Sequence, residues 1–419
     1  MPSDDSKRPL RKNVRMSPLR RVGQAYRAAF AGLSRDAWLF SLVTLVNRAG
    51  GMVLPFLVLY LTQRRGLSVP EAGRVLSLYG LGSIGGSYVG GWLVDRFGPV
   101  RTQQVSLIGG GVGLLLLGWA RGPLPIALCA CATSFVGDMF RPAVMAALSR
   151  GSSPEQQARA FTLLRLAVNL GLGVGPAVGG FLALRSYGWL FACDAATCLA
   201  AAGVLFACYG WSEPPQHPRL AAEADSARSP WRDGPFLVLL LLVLLLTVVF
   251  FQLVSTLTLY LHQRYGLAED AIGLVLALNA GLIVAFEMVL IHRLERREPL
   301  FLIGFGSALV CLGFGLLPFG RSTLWVVATT AIWTAGEMLA LPLLNAVVAA
   351  RAGGRHRGRY LGAYTVAFST ALAVAPIAGT TLYAWIGAER FWYALGALGP
   401  LLWIAFAALA PAFRRAQAN

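Results

Sequence analysis

Twelve mostly apolar runs, each long enough to cross a bilayer as a helix, constrain this chain more than any other feature. They fall at roughly 37–62, 71–95, 101–120, 123–149, 157–184, 187–209, 234–261, 270–292, 299–318, 322–350, 358–386 and 389–411. Of 419 residues, 56% are hydrophobic and 13% charged, against about 25% charged in a soluble domain. Backbone inside hydrocarbon must satisfy its own polar groups, so the reading is an all-α polytopic membrane protein with 12 transmembrane helices. The 47 glycines suit helices that pack closely in lipid.

Net charge is +17. Placement argues against a nucleic-acid partner, because the bases collect in the N-terminal tail and in alternate loops. Arg96 and Arg101 follow the second span, and Arg150 and Arg159 the fourth. His292, Arg293, Arg296 and Arg297 follow the eighth, and Arg351, Arg355, Arg357 and Arg359 the tenth. That pattern places both termini in the cytoplasm, with Arg64-Arg65 an exception on the outer side. Residues 1–36 read as a basic cytoplasmic tail. Within it Leu19, Val22, Tyr26, Phe30 and Leu33 recur at helical spacing, which suits an interfacial helix or a plain basic tail. Residues 210–233 read as a polar, Pro-rich linker between a bundle at 37–209 and another at 234–411, with 412–419 a cytoplasmic tail. All six cysteines fall in apolar runs and read as packing residues, and no cleavable signal peptide is evident.

The two bundles repeat. Leu59-Tyr60-Leu61-Thr62-Gln63-Arg64-Arg65-Gly66-Leu67 matches Leu259-Tyr260-Leu261-His262-Gln263-Arg264-Tyr265-Gly266-Leu267, an offset of 200. The same offset relates Gly73 to Gly273, Asp95-Arg96 to Glu295-Arg296, Arg159 to Arg359, Pro176 to Pro376 and Gly179 to Gly379. Between spans 2 and 3 stands Gly91-Trp92-Leu93-Val94-Asp95-Arg96-Phe97-Gly98-Pro99-Val100-Arg101, a charged tight turn. It resembles the loop signature of the major facilitator superfamily. In span 5, Gly171-Leu172-Gly173-Val174-Gly175-Pro176-Ala177-Val178-Gly179-Gly180 resembles the motif of that family's proton-coupled antiporters. The resemblance covers about 35–411. It implies two pseudo-symmetric six-helix bundles, a substrate site between them near the midplane, and alternating access. It also implies gating roles for Gly91, Asp95, Arg96, Gly98, Gly175, Pro176, Gly179 and Gly180. Span 4 departs from the drug-antiporter pattern: Thr133 stands where an Arg is usual before Gly137. The run Gly137-Asp138-Met139-Phe140-Arg141-Pro142 is similar to the MdtH-type multidrug exporters instead.

Glycines also invite a rival reading, since Gly80-Leu81-Gly82-Ser83-Ile84-Gly85 fits a dinucleotide-binding pattern. It lies inside a span with no strand before it, so a packing face through Gly82, Gly86 and Gly90 is the better reading.

Ionisable residues inside spans persist only when paired or wetted. They are Arg48, Asp138, Arg141, Arg165, Asp194, Glu287 and Glu337. The repeat relates Gly137-Asp138-Met139 to Gly336-Glu337-Met338 with a one-residue slip, so these acids are expected to face each other across a central cavity. Glu337, with no Arg near it in its own span, is the first expected proton carrier, Asp138 the second and Glu287 a weaker third. Arg48 with Asn47, Arg141, and Arg165 with Asn169 are expected in the substrate cavity, with Gln252, Trp333, Asn345 and Tyr364 as further lining. Arg48 could bind an anionic group or pair with an acid.

The favoured reading is proton-coupled export of amphiphilic small molecules or drugs across a bacterial-type inner membrane by a monomer. The proton gradient would supply the energy, with no cofactor. The alternative is a symporter or facilitator for a defined polar substrate such as a peptide, sugar, metabolite or lysophospholipid. No nucleophile–base spacing, metal-ligand cluster or nucleotide site is present, which argues against an enzyme or an ATP-driven pump.

Overall fold

The computed structural model describes residues 32–149, 154–211, 230–294, 297–351 and 353–418. The expected interfacial helix and most of the 210–233 linker lie outside these residues, as do Arg150, Glu295 and Arg296. Helices start where the sequence supplies caps. Ser34 Oγ accepts from the Ala37 amide, Asp233 Oδ1 from Phe236 and Glu298 Oε2 from Phe301. Ser68 and Glu71 form a capping box at the head of Val69–Phe97.

The helices follow the expected spans to within a few residues. Span 1 is the helix Arg35–Gly50, a break, Val53–Leu59 and a π-helical turn Tyr60–Arg64. Span 4 is Pro123–Gly137 and Phe140–Leu148, interrupted at Asp138-Met139. Span 7 is Gly234–Phe250, a 3-10 turn Phe251–Val254, and Thr256–Tyr265. Spans 5, 6, 8 and 9 are Pro154–Arg185, Tyr187–Tyr209, Glu269–Leu294 and Pro299–Gly315. Spans 10 to 12 are Thr323–Arg351, Gly353–Ile386 and Ala388–Ala418, the last continuing past the expected end.

Among the described residues, ten helical stretches are long and apolar enough to cross a membrane. Spans 2 and 3, Val69–Phe97 and Pro99–Trp119, fall outside that set although they are 29 and 21 residues long. Glycine, serine and paired glutamines dilute their hydropathy. These small residues are what the packing uses: Gly82, Gly86 and Gly90 lie flush against the span 4 backbone at Cys131, Phe135 and Met139, leaving no room for a Cβ.

The repeat is visible in backbone detail. Gly66 and Gly266 end spans 1 and 7 at φ +68° and +64°, a conformation glycine adopts without strain. The following leucine amide closes the same turn in both copies, Leu67 to Leu61 O at 3.0 Å and Leu267 to Leu261 O at 3.3 Å.

Candidate functional site

Contacts between the two sets of six spans gather at the end opposite the termini. Gly273 of span 8 lies against the Pro176 carbonyl of span 5, and Gly180 against the Glu269 and Asp270 backbone. Tyr187 Oη donates to Glu269 Oε1 at 2.9 Å. The repeat-related seam joins spans 2 and 11. There a Cβ on Gly73 would lie 2.9 Å from Pro376 O, and one on Gly80 2.6 Å from Ala373 Cα. The Ile377 amide, next to Pro376 in span 11, donates to Ser77 Oγ of span 2 at 3.0 Å.

Past this seam toward the end that bears the termini, the faces of spans 2 and 11 separate. A side chain at Gly91 would meet nothing within 4 Å, and Val366 is 57% exposed. Spans 5 and 8 stay together further. Gly173 is close to Ala280, and about two turns on, Arg165 and Glu287 form an ion pair across the halves. The molecule is therefore closed at one end and parted at the other.

The span 5 motif has two working faces. Gly171, Gly175 and Gly179, at spacing four, receive the backbone of span 1 at Arg48–Met52. Pro176 and Gly180 meet span 8. One short glycine-rich stretch thus joins the break in span 1 to the seam between halves.

That break is held from the other side by span 6. Gly50-Gly51 ends the helix, leaving the Met52 and Val53 amides without carbonyl partners four residues back. Asp194 Oδ2 accepts from both, each at 3.1 Å. Asn47 Nδ2 donates to Cys198 Sγ at 3.5 Å, and Gly50 lies flush against Thr197. Sequence reasoning noted Asp194 but gave it no role. The clue available was a buried acid opposite a Gly-Gly pair, which needs the span 1–span 6 contact to be legible.

Within the first half, Arg48 and Arg141 sit on packed helices, Arg35–Gly50 and Phe140–Leu148. Asp138 and Arg141 form no ion pair, although their charges act on each other. In the second half, Glu337 Oε2 accepts from Asn279 Nδ2 of span 8 at 2.8 Å, and the same amide reaches Thr334 Oγ1 at 3.1 Å. Glu337 is in electrostatic reach of both Arg165 and Glu287. Asn279, 8% exposed, was missed in the sequence because one asparagine in an apolar run carries no pattern.

The other expected lining residues divide. Asn345 is exposed, with Nδ2 turned back to Leu341 O at 3.3 Å. Asn169 is half-buried, one turn beyond Arg165. Three others are packing residues in this conformation. Trp333 is fully buried against Phe314. Tyr364 is buried near Phe368. Gln252 pins span 7 to span 11, donating to Ala375 O at 3.1 Å and accepting from Ser255 and Thr256. At the parted end, Arg96 lies over Trp92 and Phe97, Asp95 is exposed, and Gly98 turns at φ +91°. Arg101 and Gln104 tie span 3 to the end of span 6 through Trp211 O and Gly210 O.

Paired helical halves, sealed at one end and carrying buried charges between, define a polytopic membrane transporter. The chain belongs to the Major Facilitator Superfamily, whose sequence model matches residues 39–376. It is 26% identical over 326 residues to the uncharacterized MFS-type transporter YqjV of Bacillus subtilis, covering 74% of this chain and 78% of that one. It is 25% identical over 400 residues to a Na(+), Li(+), K(+)/H(+) antiporter of Planococcus maritimus, covering 85% and 91%. The fold matches a peptide transporter POT solved in complex with sulfate, at a TM-score of 0.79 and 16% identity, covering 94% of this chain and 99% of that one.

Proposed function

We propose that this transporter is a proton-coupled exporter of amphiphilic small molecules, with Glu337 as its proton carrier. One observation carries the reading. Glu337 stands inside the second half with a neutral amide, Asn279, as its hydrogen-bond partner among the described residues, and within reach of the Arg165–Glu287 pair that bridges the halves. A carboxylate held by neutral groups can take or lose a proton without breaking an ion pair of its own. Its change of charge then alters the field on the pair that holds spans 5 and 8 together. Asp138, at the interruption of span 4, is the second carrier. The similarity of the span 5 motif to that of proton antiporters and of span 4 to MdtH-type exporters supports the direction of transport. The basic loops support a cytoplasmic position for the parted end, in a bacterial-type inner membrane. The working unit is a monomer, driven by the proton gradient.

The cation/proton antiporter relative gives a second reading, exchange of Na+, Li+ or K+ for protons, in which Glu337 and Asn279 Oδ1 would offer oxygen ligands. Proteoliposomes carrying an inward proton gradient separate the two. Gradient-driven movement of an amphiphilic dye supports export. Gradient-driven movement of Na+ or K+ with no dye flux supports cation exchange, and flux indifferent to the gradient removes proton coupling altogether.

A further inference from the structure

Arg48 and Arg141 are two guanidinium groups inside membrane-spanning helices that make no hydrogen bond, ion pair or ring contact with the described residues. Every other arginine at this depth is accounted for: Arg165 is paired with Glu287. A charge at the bilayer centre costs several kcal/mol unless paired or wetted, so two unpartnered guanidiniums on helices that pack together need an explanation.

The neighbouring acids do not supply it. Asp194 acts on Arg48 electrostatically, yet its Oδ2 is committed to the Met52 and Val53 amides, and no ion pair reaches Arg48. Asp138 offsets part of the charge on Arg141 without contacting it. The two arginines also repel each other, since Arg48 acts on Arg141 directly. Their placement is fixed. Gly171 of span 5 presses on the Arg48 Cβ and backbone, and the interruption at Asp138-Met139 sets the start of the helix that carries Arg141. Arg141 is solvent-accessible although deep within the bundle, and Met145 one turn further is 50% exposed. Arg141 is therefore not sealed within packed protein.

We propose that Arg48 and Arg141 form a binding subsite for the anionic head of an amphiphilic substrate: a carboxylate, sulfonate or phosphate. Each guanidinium offers five N–H donors in a planar fork that matches two oxygens of such a group. The anion relieves the repulsion between the two arginines. The proposal names the substrate class for the export proposed above and rests on that reading only for the word substrate. Binding itself needs no gradient.

The test uses two probes with one apolar body, naphthalene-2-sulfonate and 2-naphthylmethyl-trimethylammonium. Each is titrated calorimetrically into the full chain in phosphatidylcholine nanodiscs at equal pH and ionic strength. The sulfonate should bind at least about tenfold tighter than the ammonium, and Arg48→Gln or Arg141→Gln should weaken the sulfonate by about tenfold or more. Arg48→Lys and Arg141→Lys keep the charge, lose the fork and should fall between, which covers a glutamine variant that does not fold. Adding phosphatidylglycerol separates two sources of the anion. Competition with the sulfonate assigns the site to a lipid headgroup, and no competition assigns it to a free amphiphile. The proposal is overturned if wild type binds both probes alike, or if folded glutamine variants bind the sulfonate as wild type does. Binding is read at equal pH with no gradient imposed, so a failure of proton coupling cannot be mistaken for a failure of this site.

Discussion

Gly273 rests on the carbonyl of Pro176, and the repeat-related Gly73 rests on that of Pro376. Each proline belongs to one half and each glycine to the other, so the two contacts together form a pseudo-twofold seal at the end opposite the termini. The span 5 motif is thus built into this seal. Its proline kinks the helix and its partner glycine lets the two backbones meet.

The seal should fail when one side is given bulk. Gly273→Val places methyl groups where the Pro176 carbonyl lies, and overpacking of this kind costs about 1–3 kcal/mol. The closed end should open in a substantial fraction of molecules. Spin labels at Gln63 and Arg390, both exposed at that end on opposite halves, should report a longer distance population in double electron–electron resonance. An unchanged distribution would show that the seal does not hold the closed state.

Asp194 should matter to folding before transport. Asp194→Ala leaves the Val53 amide buried without an acceptor and the Met52 amide with Gly50 O alone, a loss of about 1–3 kcal/mol for an unsatisfied group. Asp194→Asn keeps an oxygen acceptor and should be milder. Thermal unfolding of the detergent-purified protein followed by scattering should rank wild type above the asparagine variant and that above alanine. Equal midpoints for alanine and asparagine would mean that the amides find other partners.

Acid stability should carry the signature of Asp233. This carboxylate stands just before span 7 and joins three other span ends, with Arg351 Nη2 to Oδ1 at 2.8 Å, Arg351 Nε and Tyr360 Oη to Oδ2 at 2.9 and 3.0 Å, and Arg351 lying over Phe413. Burial raises the Asp233 carboxyl, but hydrogen bonds and charge from Arg351, with the Phe236 amide and Tyr360 hydroxyl, outweigh it and hold the group below the ordinary carboxylate value of 3.8. A depressed folded-state value means a contribution fully present above about pH 4 and lost as pH falls through the lower folded value. Asp233→Asn should therefore lower the unfolding midpoint at pH 7, by an amount that shrinks as pH falls below 3.8. A difference that persists undiminished at the lower pH would contradict the assignment.

Much of this architecture was legible beforehand, for reasons visible in particular residues. Hydrophobic run length placed the spans because a bilayer sets a minimum helix length. The offset of 200 placed Gly73 with Gly273 and Pro176 with Pro376, and the contacts between the halves use those residues. What could not be read was which buried polar group meets which. Gln252, Trp333 and Tyr364 looked like cavity lining because helical periodicity cannot tell an inward face toward a cavity from one toward a neighbouring span. Asn279 and the amides of Met52 and Val53 gain meaning only from spans far away in sequence. Asp138 and Glu337, related by the repeat, differ in their surroundings: Glu337 has Asn279, and Asp138 interrupts its own span.

The most direct test of the account is gradient-driven flux through Glu337→Gln in proteoliposomes, read beside exchange of the same substrate at equal pH on both sides. The account expects the imposed proton gradient to lose its effect on flux while exchange at equal pH continues, because glutamine keeps the Asn279 hydrogen bond and cannot carry the proton. Flux that still follows the gradient in the variant would contradict it, and would move the proton to Asp138 or Glu287.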